Sequence, residues 1–272
     1  SACTLPGLTR RCTADGRARG VYHRAMAGFA FLLTVNTPAW LGTARVPLFI
    51  SHNRLVAIRS LPRAAAPWAL DSGAYTQVTS YGGFSTSARG YARCTRRYRD
   101  EVGRMVWASC QDWMTEPEAL RATGMTIERH QQLTVASFLE LSSIAPDLPW
   151  LPVLQGQTIA DYERCLRLFE GAGVDLRRFP SVGLGSVCRR QGTIEVERIV
   201  RELAGYGLRL HAFGAKKTGL RRYVDAVVSS DSNAWSARAR WAAADGTALP
   251  SDRNSLAYAL RWREELLVEL GL

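Results

Sequence analysis

The sequence predicts an α/β fold: a single-domain (β/α)8 barrel of the TIM type, with its catalytic face at the strand C-termini. Three observations carry this expectation. The chain has 272 residues, a length that suits one closed barrel. Short apolar runs alternate with amphipathic stretches of helical period, as in repeated strand–helix units around a parallel sheet. Polar residues recur at the C-terminal end of run after run, where such barrels gather their chemistry. A doubly wound open sheet is the alternative, but no G-x-G-x-x-G fingerprint follows the first strand.

Residues 1–25 are polar and rich in Arg and Gly, and read as an N-terminal arm or cap; the barrel is expected over 26–272. "MAGFAFLLTV" (26–35) falls well short of the roughly 18 apolar residues of a membrane span and lacks the small-residue site of a cleaved leader. A soluble, cytoplasmic protein is expected. The strand-like runs are "RVPLFIS" (45–51), "PWALDSG" (67–73), "RMVWASCQD" (104–112), "LPWLPVLQG" (148–156), "SVGLGSV" (181–187), "LRLHAFG" (208–214) and "DAVVSSD" (225–231). They are continuous rather than alternating, as strands covered on both faces should be. Between them, "TIADYERCLRLFEGAG" (158–173) and "TIEVERIVRELAGYG" (193–207) carry apolar residues at helical spacing and close on glycines. A last helix over about 254–270 would place Leu256, Leu260, Arg263, Leu267 and Leu270 on one face.

Hydrophobic content of 47% and charged content of 22% allow a full core. Lys and Arg number 35 against 24 Asp and Glu, a net charge of +11 that favours a polyanionic partner such as a nucleic acid, although a solvated arginine-rich surface reads the same way. Six scattered cysteines without a C-x-x-C pair signal neither a disulfide framework nor a zinc ribbon.

The strand ends carry, in order, Asp71, Gln111-Asp112, Gln155-Gly156, Gly183-Leu184-Gly185, Phe213-Gly214 and Asp231. In a barrel they converge on one mouth. Three carboxylates there allow one to act as a nucleophile, one to move a proton and one to read donors on a substrate. Gly183 and Gly185 would leave backbone N–H groups approachable, and Tyr75 and Phe213 offer flat faces for stacking. Each residue also has a plain structural reading. Asp71 and Asp231 could be helix N-caps, the glycines a tight strand exit, Gln155 a buried amide, and Phe213 and His211 core residues.

Taken together, these motifs resemble a known family. "DSGAYT", "VLQGQ", "GLGSV", "HAFGAKK" and "SSDSNAW" resemble, in order, segments of the tRNA-guanine (queuine tRNA-ribosyltransferase) transglycosylase superfamily. "CQDWM", "VGLGSVCRRQ", "LHAFGAKKTGL" and "SSDSNAWSARAR" are closer still to its DpdA branch, which inserts 7-deazaguanines into DNA. The resemblance spans roughly residues 45–240 and implies a pentosyltransferase that exchanges guanine in DNA for a 7-deazaguanine base such as 7-cyano-7-deazaguanine (preQ0). It implies Asp231 as the nucleophile at C1′ and Asp71 as the general acid/base. Asp112 would read the purine N1–H and amine. Gln155, the Gly183-Leu184-Gly185 backbone and Ser72 would contact the base, and Tyr75 and Phe213 would stack on it.

Arg189, Arg190, Arg238, Arg240, Lys216 and Lys217 are the candidates for contacting DNA, whose target nucleotide must be unstacked or flipped; a helper protein that opens the duplex is a candidate partner. Ala74, Thr76 and Gln157 depart from the superfamily pattern, and no cysteine follows Cys188. The superfamily's structural zinc, and any other cofactor, is therefore not expected, and no length remains for an added RNA-binding domain. Other readings are a tRNA or nucleoside transglycosylase, a non-catalytic nucleic-acid-binding barrel, and a retaining glycosidase using Asp71 and Asp231.

Overall fold

The computed structural model describes residues 28–244, 247 and 249–272. The arm expected over 1–25 lies outside the described residues. The described chain forms a parallel α/β barrel. Its strands are β1 Ala30–Val35, β2 Leu48–Ser51, β3 Trp68–Asp71, β4 Met105–Ser109, β5 Trp150–Leu151, β6 Val153–Leu154, β7 Val182–Leu184, β8 Leu210–Ala212 and β9 Ser229–Ser232. Every pairing is parallel, and the sheet runs β5-β4-β3-β2-β1-β9-β8-β7-β6.

The two ends of that order are halves of one extended segment, parted by Pro152. Proline has no N–H to give to a ladder, so a strand pattern breaks there while the chain runs on. On one side the segment accepts from β4, with Ala108 N donating to Pro149 O and Cys110 N to Leu151 O. On the other it accepts from β7, with Gly183 N donating to Pro152 O at 2.8 Å and Gly185 N to Leu154 O at 2.9 Å. The ring is thereby brought to closure as eight physical strands. The seven runs read from the sequence are all present. The eighth strand is β1, inside the apolar stretch whose shortness excluded a membrane span.

Strand side chains alternate between the barrel interior and the surrounding helices. Ala30, Leu32, Phe49, Ala69, Val106, Trp107 and Leu151 form a small inner cluster, with Phe213 against it. The larger cluster, including Phe31, Leu33, Ile50, Trp68 and Leu70, faces the helices.

The helices are α1 His52–Leu55, α2 Ala74–Tyr81, α3 Ala88–Val102, α4 Pro117–Thr123, α5 Ile127–Ile144, α6 Ile159–Gly171, α7 Ile194–Gly205, α8 Lys217–Tyr223, α9 Ala234–Ala244 and α10 Leu256–Glu269. Helix α6 begins where its sequence says it should: Thr158 and Asp161 satisfy each other's backbone in a capping box. The face of α10 differs from the expected one. Ala259, Trp262 and Leu266 are its buried residues, and Trp262 packs on Phe31. Leu256, Leu260, Arg263, Leu267 and Leu270 flank that stripe, half-buried. A bulky indole at 262 takes the central place that a leucine-only pattern would assign elsewhere. Among the described residues no helix is long and apolar enough to cross a membrane.

Candidate active site

The alternation that builds the inner cluster also builds the mouth above it. Two residues beyond Leu32 comes Thr34, beyond Phe49 comes Ser51, beyond Ala69 comes Asp71, and beyond Ser229 comes Asp231. Polar side chains at the last inward position of each strand therefore share one space.

Asp231 is buried at 6% exposure and held from three sides. Thr34 Oγ1 donates to Oδ2 at 2.7 Å, and the backbone N–H of Gly214 donates to Oδ1 at 2.9 Å. His211 Nε2 sits 3.3 Å from Oδ1 but is not oriented as a hydrogen bond. The opposite nitrogen of His211 contacts Ser229 Oγ at 2.9 Å. Asp231 is not needed as the cap of α9, because Ser232 Oγ accepts from Ala234 N at 3.1 Å.

Asp71 accepts from the Ser51 hydroxyl and the Gly73 N–H. Gly73 adopts a left-handed φ of 78°, and a Cβ there would sit 2.4 Å from Asn53 Nδ2, so the turn after Asp71 admits only glycine comfortably. Helix α2 starts at that glycine without any side-chain cap, so Asp71 is not spent on capping. Burial raises the Asp71 carboxyl above its usual range against the opposing bonds from Ser51 and Gly73, and the charge of Asp231 pushes it further. Some of Asp71 is reachable from the mouth, yet protein crowds it closely enough for desolvation to dominate. Asp112, just beyond β4, is pushed up to about 7, first by burial and then by the charge of Asp71. The charge of Asp231 thus reaches Asp71, and that of Asp71 reaches Asp112, as expected of acids at neighbouring strand ends.

Gln155 is 1% exposed, and its Nε2 donates to Asp112 Oδ2 at 2.6 Å. Ser72 is buried, with Oγ 3.4 Å from Asp112 Oδ1. Gln111 turns away, its Nε2 donating to Thr86 O. The glycine reading needs correction. The N–H groups of Gly183 and Gly185 are not open to a ligand, because both are used in the ladder to the segment around Pro152. What the two glycines provide is space. A Cβ on Gly183 would lie 2.5 Å from the Phe213 ring, and one on Gly185 would lie 2.4 Å from Gln155 Nε2. Leu184 is fully buried in the outer core, and its carbonyl accepts from Phe213 N, so its side chain is not at the mouth.

Phe213 packs on Phe49, Trp107 and His211 and forms part of the floor. Tyr75 stands apart at the rim, 46% exposed. Its hydroxyl receives a 2.6 Å bond from Arg189, which also reaches Glu118 at 2.8 Å. The two aromatic candidates thus have different surroundings, Tyr75 among charged rim residues and Phe213 against the inner cluster.

The basic candidates also separate. Arg190 bonds the carbonyls of Ser186 and Gly156 and pairs with Glu195 at 3.5 Å. Arg238 pairs with Glu265 and Lys217 with Glu269, both on α10, and Arg240 bonds Ser236. These ties place Arg238, Arg240 and Lys217 in the helical layer rather than facing the acids. Lys216 is exposed beside the mouth, its N–H on Gln191.

Sequence reasoning overlooked Thr34, Ser51, Glu116 and Ser186. Counting in twos from Leu32 and Phe49 would have found the first two. Glu116, followed by Pro117, reads as an ordinary helix start, yet it is buried and bonded to Ser186 at 2.9 Å. No cluster of three or more His, Cys, Asp or Glu among the described residues is arranged to hold a metal.

A parallel barrel with carboxylates gathered at its C-terminal strand ends is a scaffold for acid–base and nucleophilic chemistry on a ligand lowered into that mouth. The model of the DpdA family, "DeoxyPurine in DNA protein A", matches residues 27–271, and the chain belongs to that family. Among solved structures, the chain is similar to the carboxyl transferase domain (Y628A) of Rhizobium etli pyruvate carboxylase with pyruvate. The match has 11% identity and a TM-score of 0.42, and covers 98% of this chain and 54% of that one. The chain thus spans about half the length of the solved structure it matches. No curated protein matches it.

Proposed function

We propose that the protein exchanges guanine in DNA for a 7-deazaguanine base such as 7-cyano-7-deazaguanine, through a covalent glycosyl intermediate on Asp231. An Asp231 oxygen attacks C1′, the C1′–N9 bond breaks, and the electron pair leaves with guanine. Asp71, whose carboxyl is raised by burial, gives a proton to the departing base. In the return step the incoming base loses its N9 proton to Asp71, its nitrogen attacks C1′, and Asp231 is released. Positive charge building on the sugar is stabilised by the carboxylate beside it. Asp112, with Gln155 behind it, accepts from the N1–H and exocyclic amine of the base. The incoming and outgoing bases share that edge, so one pocket serves both half-reactions.

The observation that carries this reading is the setting of Asp231: it is buried, oriented by Thr34 and Gly214, spared from capping, and close enough to Asp71 to raise its carboxyl. DNA as the substrate is supported by the family and by the net charge of +11. The test is to incubate the protein with labelled deazaguanine and either DNA or tRNA, then trap the deoxyribosyl adduct and map it. Label in DNA with an adduct on Asp231, lost in Asp231→Asn, supports the proposal. Label in tRNA alone, or an adduct that persists in Asp231→Asn, overturns it.

A further inference from the structure

Behind Asp112 runs a buried chain of four side chains whose protons can be counted. Gln155 Nε2 meets Asp112 Oδ2 at 2.6 Å, and Gln155 Oε1 meets Ser186 Oγ at 2.6 Å. Ser186 Oγ also meets Glu116 Oε2 at 2.9 Å and accepts from the Thr115 N–H at 2.8 Å. All four side chains belong to buried residues. Ser186 is held there by an unusual backbone: its φ of 59° is left-handed, a conformation that a residue with a Cβ adopts at a cost.

A hydroxyl has one proton and two lone pairs. Thr115 fills one lone pair of Ser186. The remaining lone pair and the single proton are divided between Glu116 and Gln155. With the amide nitrogen toward Asp112, Gln155 turns its oxygen to Ser186, so the serine must donate to it. Glu116 must then be the donor to Ser186, and it can donate only as a carboxylic acid. In the reverse arrangement Asp112 holds a proton and donates to the amide oxygen, the amide nitrogen donates to Ser186, and Ser186 donates to a Glu116 carboxylate. Both arrangements satisfy every group. A chain with Asp112 and Glu116 both ionised does not, because two acceptor oxygens would face each other within hydrogen-bond distance.

We propose that Glu116 is a positioning residue that shares one proton with Asp112 through Ser186 and Gln155. By that sharing it sets whether Asp112 offers an incoming base a carboxylate or a carboxylic acid. The consequence for specificity rests on the proposed reading of Asp112 as the group facing the base. A lactam purine bearing N1–H and an exocyclic amine requires the carboxylate, so its binding draws the proton to Glu116. A ligand with an acceptor at that edge would need the opposite arrangement. Burial raises the carboxyl of Glu116, as it does that of Asp112, which fits a proton retained between them near neutral pH.

The groups around the pair are few. Asp71, Cys110 and Tyr91 interact with Asp112, and Glu118, Arg189, Cys188 and Tyr162 with Glu116. Of the cations, Arg189 lies toward Glu116 and Arg190 bonds the carbonyls of Ser186 and Gly156, so they alter which end keeps the proton without removing the need for one.

The test is a carbon-13 NMR titration of side-chain carboxyls in ligand-free protein labelled at Asp and Glu, with Glu116→Gln and Ser186→Ala as variants. A glutamine at 116 keeps the shape and donates an N–H to Ser186 at every pH, leaving Asp112 free to ionise. The wild type should keep one proton in the pair near pH 7. In Glu116→Gln the Asp112 midpoint should fall by about one pH unit, a tenfold change in proton affinity. Ser186→Ala should make the two carboxyls titrate independently. Both carboxyls ionised at pH 7 in the wild type, or an Asp112 midpoint unmoved in Glu116→Gln, would overturn the proposal. The reaction itself is read separately. Adduct formation on Asp231 with an uncoupled pair rejects the proton sharing but not the base exchange, and a coupled pair without base exchange does the reverse.

Discussion

Thr34 on the first strand donates its hydroxyl proton to Asp231 on the last, across 197 residues of sequence. β1 and β9 are neighbours in the barrel, with Leu33 opposite Ser232. The side chain two places beyond Leu32 therefore arrives beside the carboxylate at 231. A hydrogen bond to a buried carboxylate orients it as well as stabilising it. Thr34→Val keeps the shape and removes the donor. It should slow adduct formation on Asp231 by roughly ten- to a hundredfold and cost about 1–3 kcal/mol of stability. Single-turnover kinetics and urea unfolding measure the two effects, and an unchanged rate would mean that Gly214 alone positions the acid.

The raised carboxyl of Asp112 makes stability depend on pH in a stated direction. A group that binds its proton more tightly in the folded chain stabilises the fold below its unfolded value of 3.8. It loses that contribution as pH climbs through its folded value of about 7. Asp71 acts in the same sense. Asp112→Asn, whose amide oxygen still accepts from Gln155, removes the Asp112 part. The variant should gain on the wild type between pH 4 and pH 8 by on the order of 3–4 kcal/mol. Urea unfolding of both proteins at the two pH values gives the comparison, and parallel curves would contradict the burial of an ionised Asp112.

How far the sequence showed this arrangement depended on the kind of contact. Continuous apolar runs revealed strands covered on both faces, and an acid or amide at the end of each marked the mouth, because both features are local. The ring closure at Pro152 was not local, since it needs the two halves of one segment to bond opposite neighbours. The glycines at 183 and 185 were correctly singled out as places without side chains, but the reason lay in Phe213 and Gln155, which only folding brings there. Glu116 and Ser186 meet from 70 residues apart and leave no spacing signal. That Arg238 and Lys217 are tied to Glu265 and Glu269 was not legible either, since those pairings join residues far apart in sequence.

Arg189 is positioned at the rim but is not free, since its guanidinium bonds both Tyr75 and Glu118. A phosphate approaching the mouth competes with Glu118 for it. Glu118→Gln removes the competing charge and should tighten DNA binding, whereas Arg189→Ala should weaken it and lower the slope of log affinity against log salt by about one. Anisotropy of a labelled oligonucleotide across a sodium chloride series tests both. Equal slopes in wild type and Arg189→Ala would remove Arg189 from the interface.

Gly185 tests the space that holds Gln155 in place. An alanine Cβ there would stand 2.4 Å from Nε2 and 2.6 Å from both Cδ and Oε1 of Gln155. The amide is buried and bonded at both ends, so it cannot move aside without breaking its bond to Asp112 or to Ser186. Gly185→Ala should lower affinity for the base at least tenfold and cost about 1–3 kcal/mol of stability. Gly171→Ala, at a site where the new methyl meets nothing within 4 Å, is the control and should be neutral or mildly stabilising. If the clash is with Gln155 alone, shortening that side chain relieves it. The double variant Gly185→Ala with Gln155→Ala should then be no less stable than Gln155→Ala alone, a non-additivity expected only of residues in direct contact. Additive losses in unfolding free energy would show instead that the alanine disturbs the β7 backbone itself.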